Sequence, residues 1–108
     1  MRAYLGEFEQ LLLLALLHLG DEAYGTRIRQ VVEARTGRTI SPGAMYTALA
    51  RLERRGLVAS WLGDPTPQRG GKRKRYYRLE PAGAALLRAS QTALQRMTRG
   101  LKPKLETS

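Results

Sequence analysis

The chain has 108 residues, with 19 Lys and Arg against 9 Asp and Glu, and its formal net charge is +10. That length suits one domain with a modest core, and so basic a domain favours nucleic acid as its partner, ahead of an anionic membrane surface. There is no cysteine, which excludes disulfides and thiolate chemistry and is typical of a cytoplasmic location. The apolar run at 11–17 is too short to span a bilayer, and acidic residues precede it where a secretory signal would be basic.

Residues 6–19 predict a first helix that is apolar nearly all the way round. It carries two stripes at helical spacing, formed by Phe8, Leu12, Ala15 and Leu19 and by Leu13, Leu16 and Leu17. Because such a helix is buried on more than one side and the domain is small, we expect the second side to contact another subunit. A turn at 20–22 leads to a second helix predicted over 23–36, which Gly37 closes.

The stretch 40–58 predicts a third helix with clear ends, and the rest of the chain is organised around it. Ser41 is a favoured N-cap, Pro42 suits the first helical position, and Gly56 suits the left-handed position that ends many helices. The apolar face consists of Met45, Ala48, Leu49 and Leu52. The opposite face is small, polar and cationic, with no central carboxylate, and consists of Gly43, Thr47, Ala50 and Arg54, flanked by Tyr46 and Arg51.

Two strands are predicted next, over 57–62 and 72–79, joined by a loop rich in glycine and proline. No acid occurs between Asp64 and Glu80, and six cations fall within residues 69–78, namely Arg69, Lys72, Arg73, Lys74, Arg75 and Arg78. A solvated charge run is the alternative interpretation of this segment. Its position on a hairpin, directly after a capped helix whose outer face lacks a carboxylate, favours nucleic acid.

A last helix is predicted from Pro81 to about residue 101. It carries a coiled-coil-like seam of Leu87, Ser90, Leu94, Met97 and Leu101. A helix this long cannot be covered by so small a core, so we expect the seam to form a two-fold dimer, with Phe8 and Leu12 of the first helix as a second wall. Gly100 and Pro103 predict the end of the helix, and residues 103–108 are expected to be a flexible tail.

The order of these elements predicts a mainly α fold with a small β-hairpin: a winged helix-turn-helix over 1–80, then a dimerisation helix over 81–102. In such folds the exposed first part of the third helix meets base edges, and the hairpin follows the phosphates. The predicted DNA-binding residues are Ser41, Gly43, Tyr46, Thr47, Arg51, Lys72, Arg73, Lys74 and Arg75. Ser41 either binds a phosphate or only caps its helix, and Arg73 is the candidate for the minor groove.

Other classes of function fit less well. The single histidine, His18, lies on the leucine-rich first helix, and no paired carboxylates or metal-ligand spacing occur, so we predict no enzyme, cofactor or metal site. The run Gly70-Gly71-Lys72-Arg73 lacks the upstream glycine and the Ser or Thr of a phosphate-binding loop. A winged helix that binds RNA or an acidic protein stays open as an alternative. Preference for duplex DNA over single-stranded RNA of equal length separates the two.

Several segments resemble the PadR family of transcriptional regulators. They are L-G-E-F-E-Q-L-L-L-L-A-L-L at 5–17, A-Y-G at 23–25, S-P-G-A-M-Y-T-A-L-A-R-L-E-R-R-G-L-V at 41–58, R-G-G-K-R-K-R-Y-Y-R-L at 69–79 and E-P-A-G at 80–83. These segments cover most of the first 83 residues and keep the order of the family. The single, short final helix resembles the smaller branch of that family.

The resemblance implies a homodimer built through the first and last helices and bound to inverted-repeat DNA. It also implies repression that an aromatic acid or a lipophilic drug relieves. Two departures stand out. Glu80 replaces the usual threonine or serine before Pro81, although a carboxylate also favours a helix N-terminus. Residues 95–98 contain no aromatic, whereas relatives that bind planar drugs have a tryptophan in this helix, so a lipophilic ligand on an aliphatic floor is expected.

Overall fold

The computed structural model describes residues 4–64 and 73–107. Helix α1 spans Glu7–Leu19, and a single 3-10 turn spans Gly20–Glu22. The remaining elements are α2 at Gly25–Thr36, α3 at Pro42–Arg54, β1 at Val58–Leu62, β2 at Arg75–Leu79, α4 at Pro81–Thr98 and α5 at Lys102–Thr107. The predicted mainly α fold with a β-hairpin is confirmed. No helix among the described residues is long and apolar enough to cross a membrane.

Helix α1 is the centre of the core. It packs against α2, α3, α4 and β2, and Leu12 and Leu13 are completely buried. Leu16 is buried as well, so both apolar stripes of α1 are largely covered by the chain itself. The expectation that the second stripe meets another subunit is therefore wrong for Leu13 and Leu16, because a helix surrounded by four elements needs no partner chain to bury its sides. Leu17, in contrast, is exposed.

Helix α3 has the ends and the buried face that its sequence predicts. The Ser41 hydroxyl accepts a hydrogen bond from the Ala44 amide at 3.3 Å, and Pro42 occupies the first turn. After the C-cap, Gly56 has a φ of 75°, the left-handed conformation that glycine adopts without strain. The buried residues are the four predicted ones, Met45, Ala48, Leu49 and Leu52. This packing turns the opposite face of the helix outward.

The hairpin is antiparallel, with Val58 paired to Leu79 and Leu62 paired to Arg75. Tyr24 adds an isolated bridge to Tyr76 on the other edge of β2, and the Tyr77 amide donates to the Ala23 carbonyl at 2.9 Å. The prediction of a helix from residue 23 is therefore wrong by two residues, because the backbone of Ala23 and Tyr24 pairs with β2 before α2 begins. The loop residues 65–72 lie outside the described part of the chain.

Helix α4 lies against the core only in its first half. Gly83 packs directly on the Leu57 carbonyl, where a Cβ would overlap that backbone. The buried Ser90 hydroxyl accepts the Leu5 amide at 2.8 Å, and Gln91 donates to the Gln10 side-chain oxygen at 2.7 Å.

Beyond Gly100, whose φ is 83°, the short helix α5 stands where the sequence predicted a tail without secondary structure. Pro103 is compatible with that helix because a proline in the first turn removes no helical hydrogen bond.

Candidate nucleic-acid interface

The outward face of α3 is a continuous stripe of small and cationic residues. Gly43, Thr47, Arg51 and Arg54 follow one another at helical spacing, and all four are exposed. Because no carboxylate lies on this stripe, a phosphate-rich surface approaches it without charge repulsion. Ser41, at the start of the helix, is also exposed, and its hydroxyl already caps the first turn.

Tyr46 lies beside this stripe and has a packing role. Its side chain is 46% exposed, yet its hydroxyl rests directly on Gly25 at the start of α2. A Cβ at Gly25 would overlap the phenol, so a glycine there lets the Tyr46 ring take this position against α2. Gly25, the glycine of the A-Y-G segment at 23–25, therefore has a packing role that composition and spacing did not reveal. Part of the Tyr46 ring is held against α2 and only the remainder faces outward.

The described cations of the hairpin are exposed, but each has an internal contact. The Arg73 Nε donates to the Gly63 carbonyl at 2.8 Å, and the Lys74 ammonium lies 4.2 Å from the centre of the Tyr24 ring. The Arg75 guanidinium donates to the Ser60 hydroxyl at 3.1 Å. These contacts hold Arg73 and Arg75 along the hairpin and Lys74 against the start of α2. The predicted contact Lys72, like Arg69, lies outside the described residues.

The outer face of the hairpin carries a packed aromatic pair. Trp61 and Tyr76 are cross-strand partners, and their rings stack with their centroids 5.9 Å apart and an interplanar angle of 17°. Tyr24 meets Tyr76 edge-on at 5.5 Å, and the Arg78 guanidinium lies 5.8 Å from the Trp61 ring. Cross-strand aromatic pairs of this kind stabilise a sheet. These rings therefore pack with one another.

The inner face of the hairpin meets α3 through polar groups. The Ser60 hydroxyl lies 2.8 Å and 2.9 Å from the two carboxylate oxygens of Glu53, in the last turn of α3. Tyr77 is buried close by. Burial raises the pKa of the Tyr77 phenol, Tyr46 and Glu53 raise this pKa further, and Arg75 opposes them. The phenol therefore stays neutral at physiological pH.

Carboxylates also tie α3 to the first two helices. The Glu33 carboxylate accepts the Ile40 amide at 2.7 Å, just before α3 begins. At the other end, the Arg55 guanidinium lies 3.4 Å from the buried carboxylate of Glu9 in α1. The outward stripe of α3 is thus held at both ends by the core. None of these carboxylates was singled out from the sequence, because their partners lie 7 and 46 residues away along the chain.

Comparison with known proteins shows which family this chain resembles. The model of the transcriptional regulator PadR-like family matches residues 13–89. The chain belongs to the PadR family. It is 38% identical over 87 residues to the transcriptional regulator Rv3488 of Mycobacterium tuberculosis, covering 78% of this chain and 75% of that protein.

Solved PadR structures have the same fold. A PadR family transcription regulator from Clostridium difficile R20291 is 26% identical and matches with a TM-score of 0.71, over 91% of this chain and 98% of that one. A PadR family regulator from Eggerthella lenta is 30% identical, with a TM-score of 0.66 over 94% and 88% of the two chains. The predicted winged helix-turn-helix regulator is confirmed, and an enzyme is excluded by membership in this family.

Within this PadR-family chain, the predicted dimer residues fall into two groups. Leu94, Met97 and Leu101 are exposed, by 56%, 76% and 39%, and Phe8 is half-buried. Leu12 and Leu87 are buried in the core of the single chain, at 0% and 5% exposure. Assigning those two leucines to a dimer surface is therefore wrong, because they already pack against the chain's own helices.

Proposed function

We propose that this PadR-family regulator is a homodimeric repressor that binds an inverted-repeat operator and is released by a small lipophilic ligand. The observation that carries the DNA-binding part is the exposed, carboxylate-free stripe Gly43, Thr47, Arg51 and Arg54, which lies beside a basic hairpin. Gly43, Thr47 and the outer edge of Tyr46 meet base edges in the major groove. Arg51 contacts the backbone, as does Ser41 through the exposed start of its helix.

The hairpin supplies affinity that does not depend on DNA sequence. Lys72, Arg73 and Lys74 follow the phosphates beside the recognition helix, and Arg73 reaches toward the minor groove. Arg73 is held by the Gly63 carbonyl and Lys74 by the Tyr24 ring, so these side chains lose less conformational entropy when DNA binds.

The dimer forms through the second half of α4. Leu94 and Met97 are exposed apolar residues that continue the seam of this helix past the core, and Phe8 adds apolar surface from α1. Leu101 is exposed as well, but it lies beyond the end of α4 at Thr98 and does not continue the helical seam as predicted. A two-fold dimer places its two recognition helices about 34 Å apart, one turn of DNA, when both half-sites lie on one face. The two-fold axis makes the operator an inverted repeat, and the spacing sets the distance between its half-sites.

The proposal of a small ligand is based on a cavity between α1 and α4. The cavity has a volume of about 570 Å³, within the usual range of small-molecule sites, and its walls include Leu11, Leu14 and Leu94 together with Tyr4 and Gln91. The aliphatic part of the wall favours a lipophilic ligand over a stacked planar one, and the polar side chains of Glu7, Gln10 and Gln91 line the rest of the cavity together with Ser90. Because the cavity adjoins the proposed dimer seam, a bound molecule changes the spacing between recognition helices and weakens operator binding.

The recognition helix is tested by two substitutions in gel-shift titrations. Thr47→Ala is expected to change the relative affinities for operator variants by about 1–3 kcal/mol at one base position, because a base contact is lost. Arg51→Gln is expected to weaken binding to all variants similarly. If both variants bind every operator as the wild type does, the assignment of this face is wrong. Stronger binding to single-stranded RNA than to duplex DNA would favour the interaction-module alternative.

The hairpin is tested by changing Lys72, Arg73 and Lys74 together to Gln. Each phosphate contact that is lost lowers the slope of log K against log salt by about 0.9. As a matched control, Arg88, Arg96 and Arg99 are changed to Gln, which removes the same charge from α4 and its C-cap. An unchanged slope in the hairpin variant would contradict the proposed contacts.

A further inference from the structure

A hydrogen-bonded bridge joins the recognition helix to both strands of the hairpin. Its centre is the Ser60 hydroxyl on β1, which donates toward the Glu53 carboxylate at 2.8 Å. The same oxygen accepts from the Arg75 guanidinium at 3.1 Å, and Arg75 is the first residue of β2. A serine hydroxyl has one donor and two lone pairs, so it makes both bonds at once. Three separate elements therefore meet at one side-chain oxygen.

The position of this bridge matters because it ties the hairpin to α3, whereas the bridge and ring contacts of Tyr24 tie β2 to the start of α2. Val58 and Tyr77 are buried near its base, whereas Trp61, Leu62 and Arg75 are exposed. An isolated two-stranded ribbon is marginal in water, so its direction depends on what it is tied to. The Ser60 bridge is a described side-chain tie from α3 to the middle of β1 and the start of β2.

The bridge contributes more to the orientation of the hairpin than to the stability of the domain. Glu53 and Arg75 are exposed and Ser60 is half-buried, so solvent screens the attraction between the two charged groups and each bond adds little to the free energy of unfolding. A tie of this strength does not hold the domain together. It does narrow the range of angles that the hairpin samples relative to α3.

We propose that Glu53, Ser60 and Arg75 are positioning residues that set the angle between the recognition helix and the hairpin, and that Arg75 acts through Ser60 and does not contact phosphate. This inference rests on the proposed DNA-binding function. It reassigns Arg75, whose place in the basic run alone predicted a DNA contact. The bridge presents the DNA-contacting groups of α3 and of the hairpin tip at a fixed separation, so less conformational entropy is lost on binding.

The direction in which Glu53→Ala changes DNA affinity separates this role from simple electrostatics. If Glu53 only added negative charge near the DNA, Glu53→Ala would strengthen binding. A positioning role predicts weaker binding instead, because Ser60 and Arg75 lose their anchor on α3. Asp21→Asn is the matched control, since it also removes one exposed negative charge but lies in the 3-10 turn.

The experiment uses the full chain and an operator duplex selected from a random-sequence pool, with affinity measured over a series of salt concentrations. Ser60→Ala, which changes no charge, is expected to weaken binding about tenfold, the scale of coupling between contacting residues, with an unchanged salt slope. Ser60→Thr keeps the hydroxyl and is expected to restore affinity. Arg75→Gln is expected to match Ser60→Ala, and the double variant to be no weaker than either single one. Melting curves verify that each variant is folded.

The outcomes are distinguishable. If the wild type selects no duplex over random DNA, the proposed function itself fails. If the wild type binds its duplex and Ser60→Ala binds equally well, the bridge has no positioning role. A fall in the salt slope of about 0.9 in Arg75→Gln would make Arg75 a phosphate contact and overturn the reassignment. If Ser60→Ala does not fold, the affinity and the salt slope are compared in Ser60→Thr and Arg75→Gln instead.

Discussion

The two halves of α4 have the same apolar spacing and opposite environments. In the first half, Leu87 and Ser90 are buried, at 5% and 2% exposure, and pack against the chain's own core. In the second half, Leu94 and Met97 continue the seam but are 56% and 76% exposed. One repeat therefore runs from the core of the domain onto its surface. The periodicity of a helix shows which side is apolar but not which molecule covers that side.

The comparison also explains why α4 is able to serve both the fold and the proposed assembly. Gly83 and Ser90 anchor its first half through a close backbone approach and a hydrogen bond to the Leu5 amide. The second half projects without comparable described anchors, which leaves its apolar residues available to the second copy of the proposed dimer. Three substitutions test this division, in order of expected effect.

The largest effect is expected from changing Leu94 and Met97 together to Glu. In the proposed dimer this change places charges in an apolar seam, at a cost of several kcal/mol, and should produce monomers. The domain itself should stay folded, because both side chains are exposed in the single chain. Light scattering gives the mass and circular dichroism the helix content. A dimer that persists in this variant means that the interface lies elsewhere.

A smaller effect is expected from Leu87→Ala, introduced into the monomeric double variant so that assembly does not contribute. Removing this buried leucine leaves a cavity in the core and should lower the free energy of unfolding by about 2–5 kcal/mol. Leu17→Ala in the same background removes an exposed leucine and should change that free energy by less than about 0.5 kcal/mol. Urea denaturation measures both. Equal losses would contradict the division of α4.

The smallest effect is expected from Ser90→Ala. It removes the acceptor of the Leu5 amide and leaves a buried donor unpaired, at a cost of about 1–3 kcal/mol in the free energy of unfolding. Thr98→Ala removes an exposed hydroxyl bonded to the Gln95 carbonyl and serves as the control, with a change within about 0.5 kcal/mol. Thermal melts compare the two. If Ser90→Ala and Thr98→Ala change the stability equally, the Leu5 amide finds another acceptor.

By itself the sequence determined the elements whose causes are local. The cap at Ser41, the left-handed Gly56 and the buried face of α3 follow from neighbouring residues, and the structure has them as predicted. The basic hairpin and the absence of carboxylate from the outer stripe of α3 are also properties of sequence and period alone. These features were sufficient to indicate a winged helix-turn-helix with a nucleic-acid partner.

Only the tertiary structure decided which apolar faces are already covered and which charges are already paired. The burial of Leu12 and Leu87, the pairing of Tyr24 with β2 and the Glu53–Ser60–Arg75 bridge all depend on residues that are distant along the chain. Helical spacing and charge counts contain no information about such neighbours. A buried leucine and an exposed one have the same period in the sequence, and they differ only in what the folded chain brings against them.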